Sequence, residues 1–159
     1  MNDRAPTTPE TSPAIEAFVR LVRASVAVTR ELNALLSADH GLSLNTYEAL
    51  LLLARAPESR MRRVDLANGL WLTAGGVTRL LDGLERDGCI AREEDPTDRR
   101  VSYAVLTKAG RDRLREASKS HMRQIEELLG AQYDDAELTQ LASLLDRLAG
   151  AQPNGARCE

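Results

Sequence analysis

Aromatic residues are scarce in this chain of 159 residues. One Trp, three Tyr and one Phe make up 3% of it, whereas 43% of the residues are hydrophobic. Leucine, alanine and valine therefore supply most of the apolar mass, a composition that favours helices packed on helices. No apolar run approaches the roughly 18 residues that a membrane-spanning helix needs, so no transmembrane segment is expected.

Cysteine and histidine are nearly absent as well. Cys89 and Cys158 are too few for a disulfide framework, and the N-terminus "MNDRAPTTPETSP" lacks the apolar segment of a secretory signal, so a cytoplasmic location is expected. Cys89 is predicted to be a small buried hydrophobe. Because His40 and His121 are the only histidines, neither a metal cluster nor a catalytic triad is expected. Neither an enzymatic activity nor a cofactor is therefore expected for this chain.

The net charge of −3 argues mildly against indiscriminate binding to nucleic acid. The charges are unevenly distributed, however. Residues 55–115 carry 13 Arg or Lys and 10 Asp or Glu, whereas the rest of the chain is net acidic. The middle of the sequence is therefore its relatively basic part.

The two ends of the chain differ from the sequence between them. Residues 1–12 are rich in Pro, Thr, Ser and Glu and predict a disordered arm, and residues 151–159 predict a loose tail. Residues 13–150 are predicted to form a single domain. Its first helix, about 14–38, has two apolar stripes, where a helix buried on one side needs one. The stripes are Ile15, Phe18, Val19, Val22 and Val26, and Leu21, Val28, Leu32 and Leu35.

Three further helices are predicted in the middle of the chain. Either Ser43 or Asn45 can cap the first of them, and a short helix over Val64–Leu70 comes next. Thr73 is a good N-cap for a helix over residues 73–87, and Gly88 lies where a left-handed C-terminal glycine belongs. The core-facing residues expected in these helices are Tyr47, Leu50, Leu51 and Ala54; Val64, Ala67 and Leu70; and Val77, Leu80, Leu81 and Leu84.

A change of period then predicts a β-hairpin followed by two closing helices. Val101, Tyr103 and Val105 alternate with their neighbours, and "DPTD" has turn chemistry. Thr107 can cap a helix with Leu114, Ser118, His121, Ile125 and Leu128 inward. Asp134 and Glu137 have the spacing of a capping box before Leu138, Leu141, Leu145 and Leu148.

A short helix, a tight turn, a second helix and a hairpin describe a winged helix-turn-helix, here over residues 44–107. A recognition helix enters the major groove with its N-terminal end, where the missing side chains of Gly75 and Gly76 would let the backbone approach DNA. Arg79 is suited to a base edge, and Thr73 and Thr78 are suited to phosphates. In the alternative interpretation, the glycines permit close helix packing and Arg79 pairs with Asp82 on the surface.

The hairpin suggests a second DNA contact. "DPTDRR" places Asp98, Arg99 and Arg100 at or just beyond the turn, where guanidinium groups suit the narrow minor groove and Asp98 could hold one of them. The alternative is an ordinary solvated hairpin, which three nearby acids favour because they repel phosphate. These acids are Glu93, Glu94 and Asp95.

Together these segments resemble the MarR-type transcriptional regulators. The matching motifs are V-T-R-L at Val77–Leu80, L-E-x-x-G at Leu84–Gly88, the D-R-R wing at Asp98–Arg100 and L-T-x-x-G at Leu106–Gly110. The resemblance implies a mainly helical α+β fold in which the terminal helices, about 14–38 and 108–149, form a homodimer. It also implies a repressor that binds a pseudo-palindromic DNA operator and is released by a small molecule.

The resemblance further implies an effector pocket between the dimerisation helices and the DNA-reading segment. Its candidate lining residues, which would serve equally well in the core, are Val22, Ser25, Val26, Thr29, Tyr47 and Trp71. The rival hypothesis is a winged-helix module for protein interactions without specific DNA binding. The acids of the wing and the net negative charge favour this rival, whereas Arg79, Arg99 and Arg100 oppose it.

Overall fold

The computed structural model describes residues 12–70, 72–95, 98 and 101–150, apart from the side chain of Ala149. It divides into two compact units, with the boundary between Ala117 and Ser118. The predicted C-terminal tail and all of the predicted N-terminal arm except Ser12 lie outside the described residues. So do four residues singled out from the sequence: Trp71, Arg99, Arg100 and Cys158.

The described residues form helices and a small antiparallel sheet, which confirms the mainly helical α+β fold. The elements are α1 (Pro13–His40), α2 (Leu44–Arg55), a 3₁₀ turn (Pro57–Ser59), β1 (Arg60–Arg62), α3 (Arg63–Gly69), α4 (Ala74–Arg86), β2 (Ile90–Glu94), β3 (Ser102–Leu106), α5 (Lys108–Gly130) and α6 (Asp135–Gly150). The sheet order is β1-β3-β2. The sequence does not predict β1, because three residues are too few to show a period of two.

The helix starts follow the cap residues. The Oγ of Ser43 accepts a hydrogen bond from the Thr46 N–H at 3.1 Å, so Ser43 caps α2 and Asn45 does not. Before α6, the Asp134 N–H donates to a Glu137 carboxylate oxygen at 3.0 Å, and the Glu137 N–H donates to Asp134 at 2.9 Å. The predicted capping box is therefore confirmed.

The core of the first unit lies between α2, α3, α4 and the sheet, and it corrects two predicted faces. On α3, Leu70 is buried as predicted, but Val64 is 60% exposed and Leu66, which the pattern did not include, is fully buried. A helix of seven residues is too short for its period to locate the inner face. On α2, Ala54 is exposed, whereas Ala49 and Leu53 are fully buried. This helix contacts α1, α3 and the sheet, so its buried arc is wider than one apolar stripe.

The segment L-T-K-A-G joins the start of α5 to the end of α4. The Thr107 hydroxyl donates to the Gly88 carbonyl at 2.7 Å and accepts from the Gly110 N–H at 3.0 Å, so Thr107 caps α5 as predicted. A Cβ at Gly110 would lie 2.1 Å from the Cys89 carbonyl oxygen, so this close approach requires glycine. Gly88 has φ of +69°, the predicted left-handed conformation, and Cys89 is buried as predicted.

Helices α1 and α6 each expose several apolar side chains in the described chain. In the first unit, the exposed apolar residues of α1 are Ile15, Phe18, Val19, Leu21, Val22 and Val26. In the second unit, those of α6 are Leu141, Leu144, Leu145 and Leu148. No described helix combines the length and the apolar character needed to cross a membrane. Among the described residues, the first predicted stripe of α1 and most of the α6 stripe are therefore uncovered, whereas the second stripe of α1 is buried at Leu32, which is 7% exposed.

Candidate nucleic-acid interface

Helix α4 separates a buried face from an exposed one. Val77, Leu81 and Leu84 are no more than 3% exposed and anchor the helix in the core. The opposite face contains Gly75, Arg79, Asp82 and Arg86, all exposed, and the half-buried Thr78. The exposed face of α4 thus carries two outward arginines, Arg79 in the first half of the helix and Arg86 at its last residue.

The two glycines of the first turn have different surroundings. A Cβ at Gly75 would meet no atom within 4 Å, so no described helix packs against this position. A Cβ at Gly76 would lie 3.3 Å from the Thr73 Oγ1, the atom that accepts the cap hydrogen bond from the Gly76 N–H at 3.1 Å. Gly75 therefore leaves the outer side of the helix open, whereas Gly76 makes room for the cap.

The hydroxyl groups of the predicted phosphate ligands are already engaged within the chain. The Thr73 Oγ1 caps α4, and the Thr78 hydroxyl donates to the Ala74 carbonyl at 2.8 Å. Thr78 also accepts from a guanidinium N–H of Arg63 at 2.8 Å. Arg63 is the first residue of α3, so this bond ties the two helices of the helix-turn-helix together. The sequence does not predict this role of Arg63, because the turn between the two helices, and not sequence spacing, brings it to Thr78.

Arg79 and Asp82 do not pair, contrary to the alternative interpretation of this helix. The Asp82 Oδ1 lies 3.3 Å from the Nη2 of Arg92 on β2, and the same Nη2 lies 3.6 Å from Glu85. Among the described residues, Arg79 has neither an ion-pair nor a hydrogen-bond partner. Its guanidinium is therefore available to a ligand outside the chain.

The hairpin that carries the wing is confirmed, with Ile90 opposite Leu106 and Glu94 opposite Ser102. Directly after β2, where the loop of the hairpin begins, Asp95 accepts from the Asp98 N–H at 3.1 Å and from the Tyr103 hydroxyl at 3.3 Å. Of the three predicted wing contacts, only Asp98 lies within the described residues. The assignment of Arg99 and Arg100 to the minor groove stays a prediction.

Three of the six candidate effector residues line one groove. Ser25, Val26 and Thr29 lie on α1 beside an open groove of about 390 Å³, which the start of α2 also lines. Its other lining residues are Arg30, Asn33, Leu44 and Asn45. Val22 is exposed on α1, whereas Tyr47 is 6% exposed and belongs to the core. No group of His, Cys, Asp and Glu suited to a metal ion occurs in the part of the chain that the structure describes.

The fold and the exposed face of α4 define a winged helix-turn-helix protein: a short helix, a turn, a recognition helix with an open N-terminal end and a hairpin. The family model for MarR matches residues 40–101. The HTH-type transcriptional repressor YetL of Bacillus subtilis is 33% identical over 116 residues, which cover 70% of this chain and 69% of that protein. This chain therefore belongs to the MarR family of transcriptional regulators.

Further relatives span nearly the whole chain. The HTH-type transcriptional regulator MhqR of B. subtilis is 25% identical over 138 residues, which cover 87% of this chain and 92% of that protein. Sco5413, a MarR family regulator from Streptomyces coelicolor, has a TM-score of 0.77 and 26% identity, covering 89% and 96% of the two chains. Sco3205 from the same organism, solved in complex with DNA, shares the fold with a TM-score of 0.81 and 24% identity, covering 96% and 97%.

Proposed function

We propose that this regulator is a repressor that binds a pseudo-palindromic operator as a homodimer and is released by a small-molecule effector. The DNA contact is supported mainly by the outer face of α4, where the unpartnered Arg79 lies beside the open backbone of Gly75. An arginine here can bind the O6 and N7 of guanine in the major groove. The repressor named YetL and the DNA complex of Sco3205 support the same interpretation.

The homodimer is supported by the exposed apolar faces of the terminal helices. Phe18 on α1 is 65% exposed, and Leu148 on α6 is 58% exposed. Soluble monomers rarely expose large contiguous apolar patches, so a second copy is the occupant that we propose for both faces. Two copies related by a two-fold axis would present two recognition helices to the two half-sites of an operator.

The effector site is the groove beside Ser25, Val26 and Thr29. Its mixture of hydroxyl, amide, guanidinium and apolar side chains would suit a small molecule with both polar and apolar parts. The proposed location of the protein is the cytoplasm, where its operator lies. We propose neither a membrane partner nor an enzymatic activity, because the relatives above are named as transcriptional regulators.

Selection of bound sequences from genomic DNA fragments would identify the operator and test the proposal. Arg79→Ala should weaken operator binding by about 1–3 kcal/mol and relax the preference at one base position in each half-site. Arg99→Ala should weaken binding to all sequences and flatten the salt dependence by roughly one unit per half-site. A wild-type protein that enriches no DNA sequence would instead support the winged-helix module for protein interactions.

A further inference from the structure

The recognition helix carries negative charge on the side that faces away from the core. Asp82 lies one helical turn after Arg79 on the exposed face, and Glu85 follows it at the next turn. Carboxylates beside a DNA duplex repel its phosphates. Without compensation, these two acids would cancel the positive charge that Arg79 and Arg86 bring to the same helix.

Arg92 supplies that compensation from another element. It lies on β2, the first strand of the wing hairpin, and its Nη2 is 3.3 Å from Asp82 and 3.6 Å from Glu85. One guanidinium therefore faces both carboxylates and connects the wing strand to the recognition helix. In the described chain, neither acid forms an ion pair with any other residue.

Stability alone does not account for this arrangement. The side chains of Arg92, Asp82 and Glu85 are 44–48% exposed. Ion pairs in such positions contribute little to the free energy of unfolding, because water and salt screen them. The same charges act more strongly on a polyanion that approaches the helix, since the duplex displaces water from this surface.

We propose that Arg92 is a positioning residue for DNA recognition. It acts by neutralising Asp82 and Glu85, which it faces at 3.3 Å and 3.6 Å, and it makes no contact with DNA itself. This inference rests on the proposed function, because it assumes that the outer face of α4 binds the major groove. Arg92 therefore sets how tightly the protein binds DNA of any sequence, whereas Arg79 sets which base is preferred.

A rescue experiment tests the proposal. Arg92→Met removes the charge and keeps most of the side-chain stem, and it should weaken binding to a mixed-sequence duplex and to the selected operator by about tenfold each. The order of preference among operator variants should not change. Adding Asp82→Asn and Glu85→Gln to Arg92→Met should restore affinity to within about twofold of the wild type, because the acids that needed compensation are gone.

Arg115→Met is the matched control. Arg115 pairs with Asp112 on the exposed side of α5, so the variant has the same loss of charge away from α4 and should bind DNA as the wild type does. If Arg92 bound a phosphate directly, the two added substitutions would not restore affinity, and the salt dependence would flatten in every variant that lacks Arg92. Either result would overturn the proposal, as would unchanged binding by Arg92→Met. Failure of the wild type to bind any duplex would instead overturn the proposed function.

Discussion

The helix-turn-helix segment and the terminal helices place similar apolar residues in opposite environments. Leu50, Leu53 and Leu66 of the segment are fully buried, whereas Phe18 of α1 and Leu148 of α6 are more than half exposed. The segment therefore completes its own core from residues of one chain. The exposed apolar faces of α1 and α6 are as regular but have no covering partner in the described chain. An apolar period thus predicts that a face will be buried, but it does not identify what buries it.

The largest effect is expected from a substitution in the core of the helix-turn-helix segment. Leu53→Ala should lower the free energy of unfolding by about 2–5 kcal/mol, because it leaves a cavity in a site that cannot fully collapse. Urea denaturation measures this loss. Leu144→Ala on α6 is the matched variant, since Leu144 is 50% exposed. If a second copy covers this leucine, the loss in free energy of unfolding caused by Leu144→Ala should vary with protein concentration. A loss equal to that of Leu53→Ala at every concentration would show that the two leucines do not differ in their environment.

The next largest effect is expected from a substitution in the proposed homodimer interface on α1. Phe18→Asp should raise the dissociation constant of the homodimer by about tenfold to a hundredfold, because it places a charge in the apolar interface. Sedimentation velocity over a range of concentrations measures the shift toward monomer. Ala54→Asp, at an exposed position of α2, controls for the added charge. An unchanged dimer in Phe18→Asp would show that this part of α1 is not the interface.

A smaller effect is expected from substitution of the two glycines in the first turn of α4. Gly75→Ala should stabilise the fold by up to about 1 kcal/mol through helix propensity, while its outward methyl group weakens DNA binding. Gly76→Ala should stabilise the fold less, because its Cβ would lie 3.3 Å from the cap oxygen of Thr73. Thermal unfolding and DNA titration of both variants give the two quantities separately. Normal operator binding by Gly75→Ala would mean that this glycine does not serve the approach of DNA.

The smallest effect concerns His121 in the second unit. Burial lowers the pKa of its imidazole below the ordinary 6.5, since the charged form is disfavoured there. The unfolded chain therefore takes up a proton at a higher pH than the folded chain. The free energy of unfolding is consequently unaffected by His121 above about pH 6.5 and decreases as the pH falls below that value. Urea midpoints of the wild type and His121→Gln should diverge from neutral toward acidic pH. Parallel midpoints would contradict this assignment.

The sequence by itself determined the elements whose signals are local. Thr73 predicted the start of α4 and Asp134 with Glu137 predicted the start of α6, because a cap is a contact between residues three positions apart. Gly88 predicted a left-handed helix end, since other residues rarely adopt that conformation. The V-T-R-L and L-T-x-x-G motifs predicted the family because each is a short run of residues that can be recognised without knowing what it contacts in the fold.

The tertiary structure decided what depends on residues far apart in the chain. It showed that Thr78 is held by Arg63, that Asp82 is paired with Arg92 and not with Arg79, and that Leu66 rather than Val64 anchors α3. It also placed β1 beside β3, more than 40 positions later in the sequence. A period or a motif reports the geometry of one element. Which atoms of two elements meet is set by turns, sheet register and core packing, and these exist only once the chain has folded.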